Sequence, residues 1–178
     1  MLPSDTDRLT FRRWTAGDEE SAVDLWGDPE VTRFITTGEH PGRESALERL
    51  WAQMAMEREH GVQYWPVRRR SDGVFVGCCG LRPRDPGTGV WELGVHIRSR
   101  LWGRGYATEA CREVIRFAFD QLGAAALFAG HHPQNERSRR LLARIGFRRT
   151  HDELYPPTGK EHPSYLLESP SSKDGTGP

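Results

Sequence analysis

Residues 97–110, Ile97-Arg98-Ser99-Arg100-Leu101-Trp102-Gly103-Arg104-Gly105-Tyr106-Ala107-Thr108-Glu109-Ala110, read as a strand end, a glycine-containing turn and the start of a strong helix. Such a junction points several backbone N–H groups at one spot, where the helix dipole also favours negative charge. Its natural guest is an anion, a pyrophosphate foremost. Just upstream, Val90, Glu92, Gly94 and His96 share one face of a strand, and Trp91, Leu93, Val95 and Ile97 share the other. A carboxylate in a half-buried strand is costly unless partnered. Glu92 therefore either does chemistry or bonds a neighbouring loop. Asn135, with Ser138 three residues on, can cap a helix. His131 and His132 stand at the end of the strand before it, and histidine titrates near neutral pH.

These groups need a scaffold. Residues 8–14 read as a first strand. Thr15 can cap a helix, with Asp18 three residues on and Ala22, Val23, Leu25 and Trp26 on one face. Asp28-Pro29 starts a short second helix, with proline at its first position. After a turn at 38–42, a longer helix carries Leu47, Leu50, Trp51 and Met54, and Gly61 stops it. Three strands follow, at about 63–69, 74–81 and 90–97, with a tight hairpin at Ser71-Asp72-Gly73. Pro66 cannot donate a ladder hydrogen bond, so its position calls for an edge or a bulge.

The helix over 105–122 has an apolar stripe of Ala107, Ala110, Cys111, Val114, Ile115, Ala118 and Leu122. Its polar face sets Arg116 and Asp120 four residues apart, and Gly123 caps it. A buried strand at 124–130 leads to an amphipathic helix with Leu141, Leu142 and Ile145, ended by Gly146. Residues 147–150 and 164–167 close the chain as strands. The order predicts an α/β sandwich with a mixed sheet in one domain over 1–168. The tail 169–178 lacks a hydrophobic anchor and is expected to be disordered.

The 178 residues carry 25 basic and 25 acidic side chains. Zero net charge argues against a nucleic-acid binder. No apolar run approaches the roughly 18 residues of a membrane span, and the N-terminus lacks a signal pattern. Cys78, Cys79 and Cys111 are too few and too badly spaced for a disulfide framework or a zinc site. Reduced thiols in the cytoplasm are the simplest expectation, with Cys78 and Cys79 on opposite faces of their strand. No metal is expected.

Two segments together carry a family resemblance. Glu92-Leu93-Gly94 followed by Trp102-Gly103-Arg104-Gly105-Tyr106-Ala107-Thr108-Glu109-Ala110 resembles the acetyl-CoA motif of the GNAT N-acetyltransferases. Asn135-Glu136-Arg137-Ser138-Arg139-Arg140-Leu141-Leu142, leading into Gly146-Phe147, is similar to the RimJ/RimL-like branch that acetylates ribosomal-protein alanines. Arg8-Leu9 and Asp28-Pro29-Glu30-Val31 match that branch too. The resemblance covers about residues 7–168. It implies a mostly antiparallel mixed sheet of about seven strands, flanked by helices and splayed at a central parallel pair.

The same resemblance implies acetyl-CoA as co-substrate and direct acetyl transfer to a primary amine, on a protein N-terminus or a small molecule. The rival of another class is a non-catalytic acyl-CoA-binding or regulatory module. Within the loop the working register is Trp102, Gly105 and Ala107, where small residues let the backbone approach the pyrophosphate. Gly103, Arg104 and Tyr106 complete the cradle, and Arg100 and Arg104 could contact CoA phosphates. Trp102 stands where the superfamily has Gln or Arg. Val95 and Ile97 would pair with the pantetheine arm like an added strand. Glu92 is expected to be either a general base for the acceptor ammonium or a structural carboxylate.

Asn135 would cap its helix, contact pantetheine, or both. Ser138 would face the CoA thiol and could donate to the departing thiolate. Leu142 stands where many members carry a tyrosine acid. His131 and His132 are a base, substrate contacts or plain strand-end histidines. Tyr155, His162 and Tyr165 either line the acceptor site or belong to an ordinary hairpin. The chain is expected to be a monomer or a homodimer.

Overall fold

The structure is a computed structural model that describes residues 1–35, 42–85 and 87–170. The strands are β1 (Leu9–Phe11), β2 (Tyr64–Arg69), β3 (Phe75–Asp85), β4 (Val90–Ile97), β5 (Ala126–Gly130), β6 (Arg148–Tyr155) and β7 (Lys160–Glu168). The helices are α1 (Glu19–Trp26), α2 (Pro29–Thr32), α3 (Arg43–His60), α4 (Tyr106–Asp120) and α5 (Glu136–Arg144). The expected turn at 38–42 lies almost wholly outside the described residues. So does most of the expected disordered tail, although the Ser169 N–H still donates to the Ala125 carbonyl at 3.0 Å.

The strands form one seven-stranded sheet in the order β1-β2-β3-β4-β5-β7-β6. Every neighbouring pair is antiparallel except β4 and β5. Helix α4 makes the crossover that a parallel pair requires. The parallel ladder is short: Val90, Trp91 and Glu92 pair with Ala126, Leu127 and Phe128, and the strands then part. This is the expected splay.

Each face of the sheet has its own core. Cys79 and Leu81 pack with Ala110, Cys111, Val114 and Phe117 of α4 and with Leu142 of α5. Cys78 and Phe75 pack on the other face with Trp14, Leu25, Trp26 and Leu50, from the side of α1 and α3. The adjacent cysteines thus point to opposite faces, as strand alternation requires. The fold also brings the Cys79 and Cys111 sulfurs to 3.8 Å, a proximity that their sequence spacing hides.

Pro66 does not mark an edge, because β2 lies between β1 and β3. Its carbonyl accepts the Arg12 N–H at 3.3 Å, so its nitrogen faces the side of β1, just past that strand's end. The register of β2 shifts at Val67/Arg68, supplying the expected irregularity. The closing strands are much longer than the sequence pattern suggests. β6 is a sheet edge with almost every residue exposed, so no apolar alternation announces it.

The predicted cap at Thr15 forms, with the Asp18 carboxylate accepting from the Thr15 N–H at 2.9 Å and its hydroxyl at 2.8 Å. The Arg12 guanidinium also donates to both Asp18 oxygens. Burial works to raise the Asp18 pKa, but these donors outweigh it and hold it at about 2. Asp18 therefore stabilises the fold above its ordinary pKa of 3.8, and the contribution disappears as pH falls toward about 2. With Arg12 partly in solvent, Asp18→Asn is expected to cost about 1–2 kcal/mol at pH 7, measured by urea unfolding. The mutant and wild type should converge near pH 2.

Candidate active site

A cleft of about 700 Å³ opens where β4 and β5 part. Its floor is the free edge of β4. Arg98 N–H bonds the Val76 carbonyl across to β3. By alternation, Val95 and Ile97 turn their backbone groups the other way, into the splay. The Ile97 carbonyl is taken by the Trp102 indole N–H at 2.7 Å. The side chain of Trp102 thus ties the loop to the strand, and Arg137 of α5 stacks on it at 4.1 Å.

The loop after β4 forms one end of the cleft. Gly103 and Gly105 adopt φ +77° and +81°, a left-handed conformation that glycine enters without Cβ strain. The first helical bond of α4 runs from Glu109 N–H to Gly105 O. Among the described residues, no protein acceptor meets the N–H groups of residues 103–108. Such a row of unsatisfied donors at a helix start has the chemistry to hold an anion. Gly103, Gly105, Tyr106 and Ala107 line the cleft there, as does Trp102.

The two arginines of the motif sit outside the cleft lining. Arg100 pairs with Asp24 of α1 at 3.2 Å and does not line the cleft. Arg104 does not line it either, and its carbonyl accepts from Arg8 Nη1 at 3.1 Å. On α5, Arg137, Arg140 and Arg144 line the cleft, while Arg8 abuts the outside of the loop. Sequence reasoning missed the α5 arginines, although the basic face of α5 was visible in Arg137, Arg139 and Arg140.

Asn135 Oδ1 accepts the Ser138 N–H at 3.1 Å, which makes the helix cap, and both residues line the cleft. The Ser138 hydroxyl has no protein partner among the described residues. Leu142 is buried in the core.

The opposite end of the cleft gathers Glu92, Tyr64, Arg82, His96, His132, Tyr155 and His162. Glu92 is largely buried. Its Oε1 accepts from Arg82 at 2.6 Å, and its Oε2 lies 4.0 Å from Arg84. Arg82 faces Glu92 across the β3–β4 ladder, which is why the pair meets. Gly94 leaves room for Tyr64, whose hydroxyl would lie 2.2 Å from any added Cβ. Burial, with help from the Glu92 charge, pushes the Tyr64 phenol well above its usual value.

His96 Nδ1 accepts the Trp26 indole N–H at 3.0 Å. Burial, then repulsion from Arg49 and Arg82, pushes its pKa down to about 3, so the ring is neutral. Tyr165 does not line the cleft; it stacks under His131. Burial also raises the Cys78 and Cys79 thiols above their ordinary range, which leaves them poor nucleophiles.

A row of unpaired N–H donors facing an open strand edge suits an extended ligand that carries an anionic group. The acetyltransferase (GNAT) domain family matches residues 8–148, and the chain belongs to that family. It is an acetyltransferase whose co-substrate is acetyl-CoA. It is 28% identical over 145 residues to the uncharacterized N-acetyltransferase YoaA of Bacillus subtilis, covering 82% of each chain. Its fold is similar to a GNAT-family acetyltransferase from Bacillus anthracis, with TM-score 0.81, 21% identity and coverage of 94% of this chain and 98% of that one. It is also similar to Mycobacterium smegmatis RimJ in complex with CoA-disulfide, with TM-score 0.77, 18% identity and coverage of 96% and 85%. Among the described residues no helix is long and apolar enough to cross a membrane.

Proposed function

We propose that the protein transfers acetyl from acetyl-CoA directly to a primary amine, in the manner of the RimJ/RimL-like branch. One observation carries this reading. The unpartnered N–H groups of residues 103–108 and the open edge of β4 face a single cleft. The pyrophosphate sits on the α4 N-terminus, with Arg137, Arg140 and Arg144 adding positive charge. The pantetheine arm runs along Val95 and Ile97. The thioester then lies where the strands part, and the amine enters from the end lined by Glu92.

Catalysis rests on holding thioester and amine in line, which can supply several kcal/mol of the barrier. Backbone N–H groups of β4 polarise the thioester carbonyl. Ser138 donates to the departing thiolate. Glu92, fixed by Arg82, supplies the negative charge that draws in the acceptor ammonium. No covalent acetyl-cysteine is needed, consistent with the buried, weakly acidic thiols of Cys78 and Cys79.

The test is thiol release from acetyl-CoA across a panel of primary amines: alanine- and serine-initiated peptides, a polyamine and small aromatic amines. At least one amine should give free CoA and N-acetyl product in equal amounts. Calorimetric acetyl-CoA binding without turnover on any amine would favour a non-catalytic acyl-CoA-binding module.

A further inference from the structure

An ammonium must lose a proton before it can attack a thioester. The acceptor needs a free lone pair that faces the cleft. Hydrogen bonding removes three of the histidines near it. His131 Nδ1 lies 2.8 Å from the His132 carbonyl and so donates to it, while Nε2 accepts from the Tyr165 hydroxyl at 3.2 Å. His132 Nδ1 accepts the Gln134 N–H at 3.2 Å, leaving its proton on Nε2. His96 Nδ1 is taken by Trp26.

His162 is arranged differently. Its Nε2 lies 2.8 Å from the Thr158 hydroxyl, and that hydroxyl can donate onward to the Tyr155 carbonyl at 3.3 Å. In the Nε2–H tautomer the hydroxyl proton goes to the Tyr155 carbonyl, which also accepts the Thr158 and Gly159 N–H groups at 3.1 and 3.0 Å, and Nε2 donates to Thr158. Nδ1 then keeps its lone pair. It has no protein partner among the described residues, is not among the sealed, unpartnered polar atoms, and belongs to a residue lining the cleft. β7 carries His162 past Ser164, which pairs with the last residue of β5, so His162 stands beyond the end of that strand and lines the cleft.

We propose that His162, set in its Nε2–H tautomer by Thr158, is the proton acceptor for the amine, while Glu92 holds the ammonium. This rests on the acetyl-transfer reading above. Nδ1 takes one proton from the ammonium, giving imidazolium and a neutral amine. The amine lone pair forms the C–N bond as the carbonyl π pair moves to oxygen. Collapse breaks the C–S bond, and its electron pair leaves on sulfur. The surplus proton on nitrogen passes to the thiolate, giving the amide and free CoA. The imidazolium returns its proton to solvent.

The surroundings suit a neutral resting base. Tyr155 of β6 covers one face of the ring at 4.7 Å, and His132 meets it edge-on at 5.5 Å. Burial, then the His132 and His131 rings, push the His162 pKa below 6.5; Lys160 adds to this and Glu153 opposes it. The base is therefore free at pH 7, and activity is lost as pH falls below about 6.5 through the lowered value.

The kinetic test uses the best amine of the panel. His162→Gln should lower kcat about 100-fold with an unchanged KM for acetyl-CoA, and should remove the acid limb of the pH–rate profile. Glu92→Gln should instead raise the amine KM and keep the limb. A His162→Gln enzyme within threefold of wild-type kcat, or with the wild-type acid limb, would overturn the proposal. Long-range proton–nitrogen NMR of the unliganded wild type provides a second arm that needs no variant. It should find His162 neutral at pH 7 with its proton on Nε2; a proton on Nδ1 overturns the assignment. A wild type that acetylates no amine overturns the transfer reading, and His162's role with it. A transferring enzyme with the wrong tautomer overturns His162 alone.

Discussion

Gly105→Val is expected to weaken acetyl-CoA binding at least 100-fold by calorimetry, about 2.8 kcal/mol at 1.4 kcal/mol per tenfold. The cause is conformational. Gly105 stands at φ +81°, and a Cβ there meets only the Arg8 guanidinium, at 3.4 Å. A β-branched residue in the left-handed region is strained by about 1–2 kcal/mol. Relieving that strain rotates the backbone at the start of α4, and the amides of residues 103–108 no longer converge. Gly123→Val separates this loss from general strain. Gly123 has φ +63° and open space around its Cβ direction, at the far end of the same helix. It should cost similar stability and leave affinity unchanged. Unaltered binding in Gly105→Val would remove the loop as the anion seat.

Gly80→Ala is expected to destabilise the sheet strongly. Gly80 is buried in β3, which is flanked by β2 and β4. A Cβ there would lie 1.8 Å from the Gln63 carbonyl oxygen and 2.7 Å from the Tyr64 Cα. Both are backbone atoms, so no side chain can rotate away. The strands must shift, and overpacking of this kind costs about 3 kcal/mol or more. For a domain of this size that lowers Tm by about 6–12 °C in a calorimetric scan. Gly17→Ala, whose Cβ would find only the Thr15 hydroxyl at 3.7 Å, is the contrast and should stay within about 1 kcal/mol.

What the sequence disclosed was local. The glycine turn, the apolar stripe of α4, the Asn135 cap and the Thr15–Asp18 box each depend on residues a few positions apart. What it concealed was brought together by sheet register. Arg82 meets Glu92 because β3 and β4 pair in that register. Trp26 reaches His96 across 70 positions. Tyr64 fills the space that Gly94 leaves. Arg100 and Arg104 sit in the motif, yet Asp24 draws Arg100 away and Arg104 offers the fold its carbonyl, so the cleft takes its cations from α5 instead. The last hairpin was underestimated because an exposed edge strand needs no apolar alternation, and with it went the setting of His162.

Amide hydrogen exchange with and without saturating acetyl-CoA tests the central claim most directly. Among the described residues the N–H groups of 103–108 have no protein acceptor, so they should exchange fast in the free protein and slow markedly when the donor binds. Val95 and Ile97 should be protected with them, while the exposed edge strand β6 stays unchanged. Binding that leaves residues 95–97 and 103–108 exchanging at their free rates would contradict the account.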